Sequence, residues 1–316
     1  MREEKNVVFM GTPEFAKIAL EELYDSGYSI KACFTNPDKP AGRGMKMKMS
    51  PVKEFALEKN IPVYQPLKIR KNQEVLDLLK GMDIDFLVVV AYGKILPKEI
   101  LEIPKYGAIN VHASLLPKYR GAAPIEWAIV NGETKTGITT MFMDEGMDTG
   151  DMLLKQEVEI TEQDDLATIY EKLEKISGKL LVQTLDGILD GSVVREKQSG
   201  AFCLAPMIQK EMTKIDFSKK AHEISCFVRG FAPLHGTYME LQDGRKLKVY
   251  KIEAKEKEGN DVLPNGSIVT LSKNTLEIKC ADGVISVLEI QPENSRRMDI
   301  SAFLAGNKLK KEDYFI

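Results

Sequence analysis

The segment Ile84 to Val90, apolar apart from Asp85 and carrying three valines, constrains the fold of this chain more than any other stretch. A strand with apolar side chains on both faces must be covered on both faces, which is how the centre of a parallel sheet reads. The elements around it fit that requirement. Val7 to Met10 reads as a first strand. Gly11-Thr-Pro13 then supplies a turn, a helix cap and a proline at the first helical position. Phe15, Ile18, Ala19 and Leu23 follow on one helical face. Ser29 to Thr35, a site near Val63, and Gly107 to His112 read as further strands, alternating with helices over Val52 to Lys59, Gln73 to Lys80 and Ala122 to Asn131. Thr136 to Met143 and Met152 to Ile160 read as strands, and Leu166 to Leu180 as a long amphipathic helix. The order βαβα predicts an α/β fold with a doubly wound, mostly parallel, Rossmann-like sheet over residues 1–190.

The pattern changes beyond that. Gly191 to Pro206 has little periodicity and reads as a linker. One helix is expected around Lys219 to Arg229, capped by Ser218. Short strands then alternate with the turns Gln242-Asp-Gly-Arg245, Pro264-Asn-Gly266, Ser272-Lys-Asn274 and Ala281-Asp-Gly283. This predicts a small β-barrel or sandwich over 207–316, for which a barrel of the oligonucleotide-binding type is one solution.

A chain of 316 residues supports two such cores. The apolar run Phe86 to Tyr92 is far short of the roughly 20 residues of a membrane span. Met1 to Lys5 leads directly into the first strand, so no secretory signal is expected. The four cysteines, Cys33, Cys203, Cys226 and Cys280, show no CxxC spacing and are expected as buried thiols in the cytoplasm, without a metal. Charge is uneven: residues 1–206 hold 26 Lys+Arg against 31 Asp+Glu, a balance of −5, and 207–316 hold 18 against 16, a balance of +2. One cluster stands out. Lys39, Arg43, Lys46, Lys48 and Lys53 occur with no acid between Lys39 and Lys53, on a segment whose prolines and glycines at 36–44 predict an irregular loop.

Chemistry concentrates in Asn110-Val-His-Ala-Ser-Leu-Leu-Pro-Lys-Tyr-Arg-Gly-Ala-Ala-Pro124. Alternate residues of a strand face the same side, so Asn110 and His112 point together at the end of the sheet, where open α/β folds bind ligands. An amide donor beside an imidazole suits acyl transfer: the amide can stabilise an oxyanion and the imidazole can move a proton near neutral pH. Asp148, in Met143-Asp-Glu-Gly-Met-Asp-Thr-Gly-Asp151, is a third candidate, able to orient His112 if the two meet. Spacing does not decide whether they do.

These residues resemble the 10-formyltetrahydrofolate-dependent formyltransferases. Asn-x-His-x-Ser-Leu-Leu-Pro at 110–117 with the later Asp-x-Gly carries the wider family. Gly11-Thr-Pro-Glu-Phe-Ala16, Asn36-Pro-Asp-Lys-Pro-Ala-Gly-Arg-Gly44, Val88-Val-Val-Ala-Tyr-Gly-Lys-Ile-Leu-Pro97 and Tyr119-Arg-Gly-Ala-Ala-Pro124 are more similar to its methionyl-tRNA branch, over nearly the whole chain. The resemblance implies transfer of a formyl group from 10-formyltetrahydrofolate to the amine of initiator methionyl-tRNA, by a soluble, metal-free monomer. It implies a catalytic triad of Asn110, His112 and Asp148. It also implies a folate pocket walled by Tyr92, Gly93, Ile95, Leu96, Ser114, Leu115, Leu116 and Pro117, tRNA contacts from Arg43, Lys46, Lys48 and Lys210, and an oligonucleotide-binding-like second domain. Departures occur at Glu126, where many relatives carry glutamine; at Met207, where they often carry lysine; and at Arg229-Gly-Phe-Ala-Pro-Leu-His235, against the more usual Arg-x-Phe-Asn-Pro-Trp-Pro.

Four rivals define the alternatives. A glycinamide ribonucleotide formyltransferase needs only the first domain. A sugar-nucleotide formyltransferase shares the architecture. A dinucleotide-dependent dehydrogenase is disfavoured by Gly11-Thr-Pro in place of GxGxxG. A non-catalytic RNA-binding protein has no use for Asn110, His112 and Asp148 together.

Overall fold

A computed structural model describes residues 2–41, 46–256, 263–306 and 309–316. The chain forms two compact units, one of Met1–Pro124, Thr136–Val158 and Tyr170–Ala205, the other of Ile125–Lys135, Glu159–Ile169 and Pro206–Ile316.

The elements of the first stretch are β1 (Asn6–Gly11), α1 (Glu14–Asp25), β2 (Ser29–Phe34), β3 (Lys39–Ala41), β4 (Lys46–Lys48), α2 (Pro51–Glu58), β5 (Val63–Tyr64), α3 (Gln73–Lys80), β6 (Phe86–Val90), α4 (Lys98–Leu101), β7 (Ala108–His112), β8 (Arg120–Gly121), α5 (Pro124–Val130), β9 (Lys135–Phe142), β10 (Met152–Glu159), α6 (Leu166–Asp190) and β11 (Leu204–Ala205). The main sheet has seven strands in the order β10-β9-β7-β6-β1-β2-β5. From β5 to β7 the pairs are parallel, and β9 runs antiparallel to β7. The order reverses direction on either side of β1, so the carboxyl ends of β1, β6 and β7 open on the crevice where such sheets place a ligand.

The all-apolar strand is buried as its sequence requires: every residue of β6 is buried. Val8, Met10, Ala32, Phe34, Leu87 and Val89 share one core with Val75, Leu79 and Ile100 of α3 and α4, while α1 lies against β1 and β6. At the carboxyl edge, the Asn36 amide donates to Thr12 Oγ1 (3.0 Å) and to the Tyr92 carbonyl (2.8 Å), tying together the ends of three strands.

The segment expected as an irregular loop differs. Its described residues pair as an antiparallel hairpin, Lys39 opposite Lys48, Pro40 opposite Met47 and Ala41 opposite Lys46. A two-stranded ribbon has only edges, where proline is tolerated. Lys53 is also not a free cation: it donates to Asp38 Oδ2 (2.6 Å) and Gln65 Oε1 (2.8 Å).

The second unit is built on α7 (Ala221–Phe231), β12 (Thr237–Glu240), β13 (Lys246–Glu256), β14 (Ile268–Leu271), β15 (Leu276–Lys279), β16 (Gly283–Pro292), β17 (Met298–Asp299) and α8 (Ile300–Gly306). The antiparallel sheet runs β12-β13-β16-β15-β14, with β17 also on β16. Bridges Leu241–Phe315 and Ser267–Tyr314 join the chain end to the approaches of both edge strands, so the sheet curls back on itself. Its interior includes Phe217, Leu247, Val249, Ile278, Ile285, Val287 and Phe315. The helix start differs from expectation. Ser218 donates to Asp216, and the first free amides go instead to Glu223, from Lys220 N (2.9 Å), and to Asp282, from Ala221 N (2.8 Å). Trp127 of α5 stands edge-on to Phe231, with centroids 5.5 Å apart.

Candidate active site

Asn110 and His112 leave the same face of β7, as alternation requires. His112 is buried, with 6% of its surface exposed. Its Nε2 lies 2.9 Å from the Tyr119 carbonyl. A carbonyl only accepts, so Nε2 carries the hydrogen and donates it there. The ring therefore turns Nδ1 toward Asp148, whose Oδ2 is 3.7 Å away. Asn110 Nδ2 reaches the other carboxylate oxygen of Asp148 at 3.4 Å. The amide, the imidazole and the carboxylate thus meet, although 38 residues separate Asn110 from Asp148.

The loop after β9 holds Asp148 in place. Asp144 Oδ1 accepts from Gly146 N (3.0 Å) and Thr149 Oγ1 (2.7 Å), and Phe142 N donates to the Asp151 carbonyl (2.9 Å) to close the turn. A Cβ on Gly150 would sit 1.8 Å from the Phe142 carbonyl oxygen, so only glycine fits there. Asp148 adopts φ +53°, a left-handed conformation that Asp tolerates better than most residues. Its Oδ2 also accepts from Gly121 N at 2.8 Å. Gly121 has φ +122°, and a Cβ there would meet the Ala205 carbonyl oxygen at 2.7 Å. A short parallel pairing of β8 with β11 fixes that approach.

The Ser114–Pro117 segment is pinned from below. Thr139 Oγ1 donates to the Ser114 carbonyl (2.7 Å) and accepts from Leu116 N (3.1 Å), while Ser114 Oγ donates to the Lys118 carbonyl (2.7 Å). Of the residues expected to wall a folate pocket, Tyr92, Leu96, Ser114 and Leu116 are buried, Leu115 and Pro117 are half-buried, and Gly93 and Ile95 are exposed. Tyr92 and Leu96 belong to the core of the main sheet, and Leu116 packs with Met141 and Met152. The buried phenol of Tyr92 has no hydrogen-bond partner among the described residues, and burial pushes its pKa up to about 12.

The expected tRNA contacts are divided between the two units. Arg43 lies outside the described residues. Lys48 is exposed on β4, the backbone of Lys46 pairs with Ala41, and Lys210 is exposed at the start of a 3₁₀ turn in the second unit. Two departures from the resemblance meet each other: His235 Nε2 is 3.3 Å from Glu126 Oε1, within the second unit. Sequence reasoning missed Tyr119, Gly121 and Gln198. The first two act through backbone atoms, which no residue type announces. Among the described residues no group of three or more His, Cys, Asp or Glu is placed to hold a metal ion, and no helix is long and apolar enough to cross a membrane.

The mostly parallel sheet carries this amide, imidazole and carboxylate at its rim, a set of groups suited to acyl transfer. Residues 5–185 match the formyl transferase family and residues 207–308 the formyl transferase C-terminal domain. The chain is 50% identical to a methionyl-tRNA formyltransferase of Caldanaerobacter subterraneus subsp. tengcongensis over 96% of its own length and 97% of that protein. It is 48% identical to that of Clostridioides difficile at the same coverage. A crystal structure of the sugar 3N-formyl transferase WlaRD, determined in the presence of dTDP and 5-N-formyl-THF, shares the fold, with a TM-score of 0.63 and 20% identity over 92% of this chain and 99% of that one. The chain belongs to the methionyl-tRNA formyltransferase family.

Proposed function

We propose that the protein transfers the formyl group of 10-formyltetrahydrofolate to the α-amino group of initiator methionyl-tRNA in the cytoplasm. The observation that carries this reading is the Asp148 carboxylate set between the Asn110 amide and Nδ1 of His112. The names and coverage of the close relatives support the choice of acceptor.

The attacking amine must be neutral, and a free α-amino group has a pKa of about 7.7–8.0, which esterification of its carboxyl lowers further. Its nitrogen bonds to the formyl carbon and the carbonyl oxygen takes the negative charge. Asn110 Nδ2 and His112, the latter through a protonated Nδ1, are the donors for that oxyanion. Asp148 accepts the amine proton, and the proton passes to the leaving folate nitrogen as its bond to carbon breaks. The products are N-formylmethionyl-tRNA and tetrahydrofolate. Gly93, Ile95, Leu115 and Pro117 remain accessible to contact the folate, with the buried Tyr92, Leu96, Ser114 and Leu116 supporting that wall.

For the acceptor, the telling feature is Lys39 directly opposite Lys48. Like charges facing across a strand pair are destabilising, and an RNA phosphate between them reverses the sign. Arg43, Lys46 and Lys210 extend the same proposal. The test is formyl transfer by the purified protein from 10-formyltetrahydrofolate to charged initiator tRNA, with glycinamide ribonucleotide and an amino-sugar nucleotide as competing acceptors. Product on the tRNA alone is expected. Turnover of either small amine without turnover of the tRNA would overturn the reading.

A further inference from the structure

Residues 194–202 run over the surface and all are exposed except Gln198, which is half-buried. Its side chain uses its whole hydrogen-bonding capacity. The two amide hydrogens go from Nε2 to the carbonyls of Asp148 (2.8 Å) and Gly150 (2.9 Å). Oε1 accepts twice from Arg120, from Nε (3.0 Å) and Nη2 (2.7 Å). A glutamine amide offers two donors and two acceptor lone pairs, and all four are engaged here. Arg120 is itself braced, its guanidinium stacked 4.8 Å from the Phe202 ring centroid.

These bonds hold the Asp148–Thr149 and Gly150–Asp151 peptide planes, within the turn that puts Asp148 at φ +53°. The residue after Arg120, Gly121, holds the Asp148 carboxylate through its own N–H. Asp148 is therefore gripped at its backbone by Gln198 and at its side chain by Gly121, and both grips lead to Arg120–Gly121. The neighbouring Glu196 adds a backbone bridge to Met152 just beyond the loop (2.8 and 2.9 Å). The stretch read from sequence as a linker is thus a brace for the loop that carries the carboxylate.

We propose that Gln198 is a positioning residue for the chemical step: it fixes Asp148 against Asn110 and His112 and contributes nothing to substrate binding. The inference rests on the catalytic reading of Asp148. Glutamine is required because the partners on one side are carbonyls and on the other a guanidinium. Glutamate at this position would keep Arg120 but lose both donors and set a carboxylate against two carbonyl oxygens. Alanine would release the loop altogether.

The experiment is a double-mutant cycle on formyl transfer by the full chain, using Gln198→Ala, Gln198→Glu, Asp148→Ala and Asp148→Ala/Gln198→Ala. A misplacement of about 1 Å in a reacting group costs up to roughly 10²-fold, so kcat should fall about 10- to 100-fold in both Gln198 variants. KM for the folate and for the charged tRNA should stay within about twofold. In the Asp148→Ala background the second substitution should change kcat by less than about twofold, because residues acting through one another are not additive. A merely structural role predicts multiplying effects and shifts in both KM values; that result, or wild-type kcat in Gln198→Glu, overturns the inference. Near-wild-type kcat in Asp148→Ala alone would instead remove the catalytic reading, and this role with it.

Discussion

In the loop Met143–Asp151 the groups around Asp148 face partners: Asp144 caps its own turn, Asp148 is held by Asn110 and Gly121, and the carbonyls of Asp148 and Gly150 are taken by Gln198. The hairpin of β3 and β4 reverses this pattern. Among the described residues its strands pair only with each other, Lys39 faces Lys48, and Met47 is 64% exposed. The first region is organised before any substrate arrives, which is what stabilising a transition state requires. The second has like charges opposite each other, which on the proposed function gain their partner charges from RNA phosphates. On the proposed function chemistry and recognition are separated, and substitutions in the two regions should move different constants.

The sharpest contrast is expected from His112→Ala. Loss of one oxyanion donor costs on the order of 10²–10³ in rate, so kcat should fall by that amount with KM for charged tRNA within about threefold, measured by steady-state formyl transfer. A tRNA KM that rises as steeply as kcat falls would erase the distinction. Next in size is the reversal Lys39→Glu/Lys48→Glu. Removing two phosphate contacts should raise KM for charged tRNA roughly tenfold, lower the slope of its logarithm against log salt by about two, and leave kcat unchanged. A salt titration of KM reads this directly. An unaltered slope takes the hairpin out of recognition.

The smallest effect is expected at Tyr92, which lies in the core and outside both regions. Its phenol is buried without a described partner, so Tyr92→Phe should leave kcat and both KM values within about twofold and change stability by about +1 kcal/mol. The pH dependence has a definite sign. Burial raises the pKa of the folded-state phenol from its ordinary value of 10 to about 12. The stabilisation is therefore complete below the unfolded value and lost as pH rises toward the folded one. Denaturant melts between pH 10 and 12 should show a shallower loss in the phenylalanine variant; an identical loss would assign alkaline destabilisation to other groups.

Much of this was legible before the structure, for reasons that differ by element. Gln73–Lys80 is a helix with the bounds its periodicity predicts, because its apolar positions recur at helical spacing and Asn72 caps it. Asn110 and His112 were readable as a pair because a strand has a period of two. Asp148 was readable as a partner only through resemblance, since nothing in a sequence brings a residue 38 positions away to the same rim. Lys53 was misleading: it falls within the basic cluster yet is held by Asp38 and Gln65. Gly121 and Tyr119 were silent because they act through backbone N–H and C=O, the same in every residue. Gln198 was silent because its partners are carbonyls on a distant loop and its own segment has no period. The meeting of Glu126 and His235 shows the same limit, two separate oddities in one dimension and one contact in three.

The account depends on the carboxylate that Asn110 and His112 share. It is tested most directly by the single-turnover rate of Asp148→Asn with formyl donor and charged initiator tRNA both saturating. The substitution preserves shape and removes the charge and the proton-accepting oxygen. Proton transfer by a placed side chain is worth about 10²–10⁴-fold, so the rate should fall by at least about 10²-fold while folate affinity holds. A rate within a few-fold of wild type would show that the carboxylate has no part in the reaction.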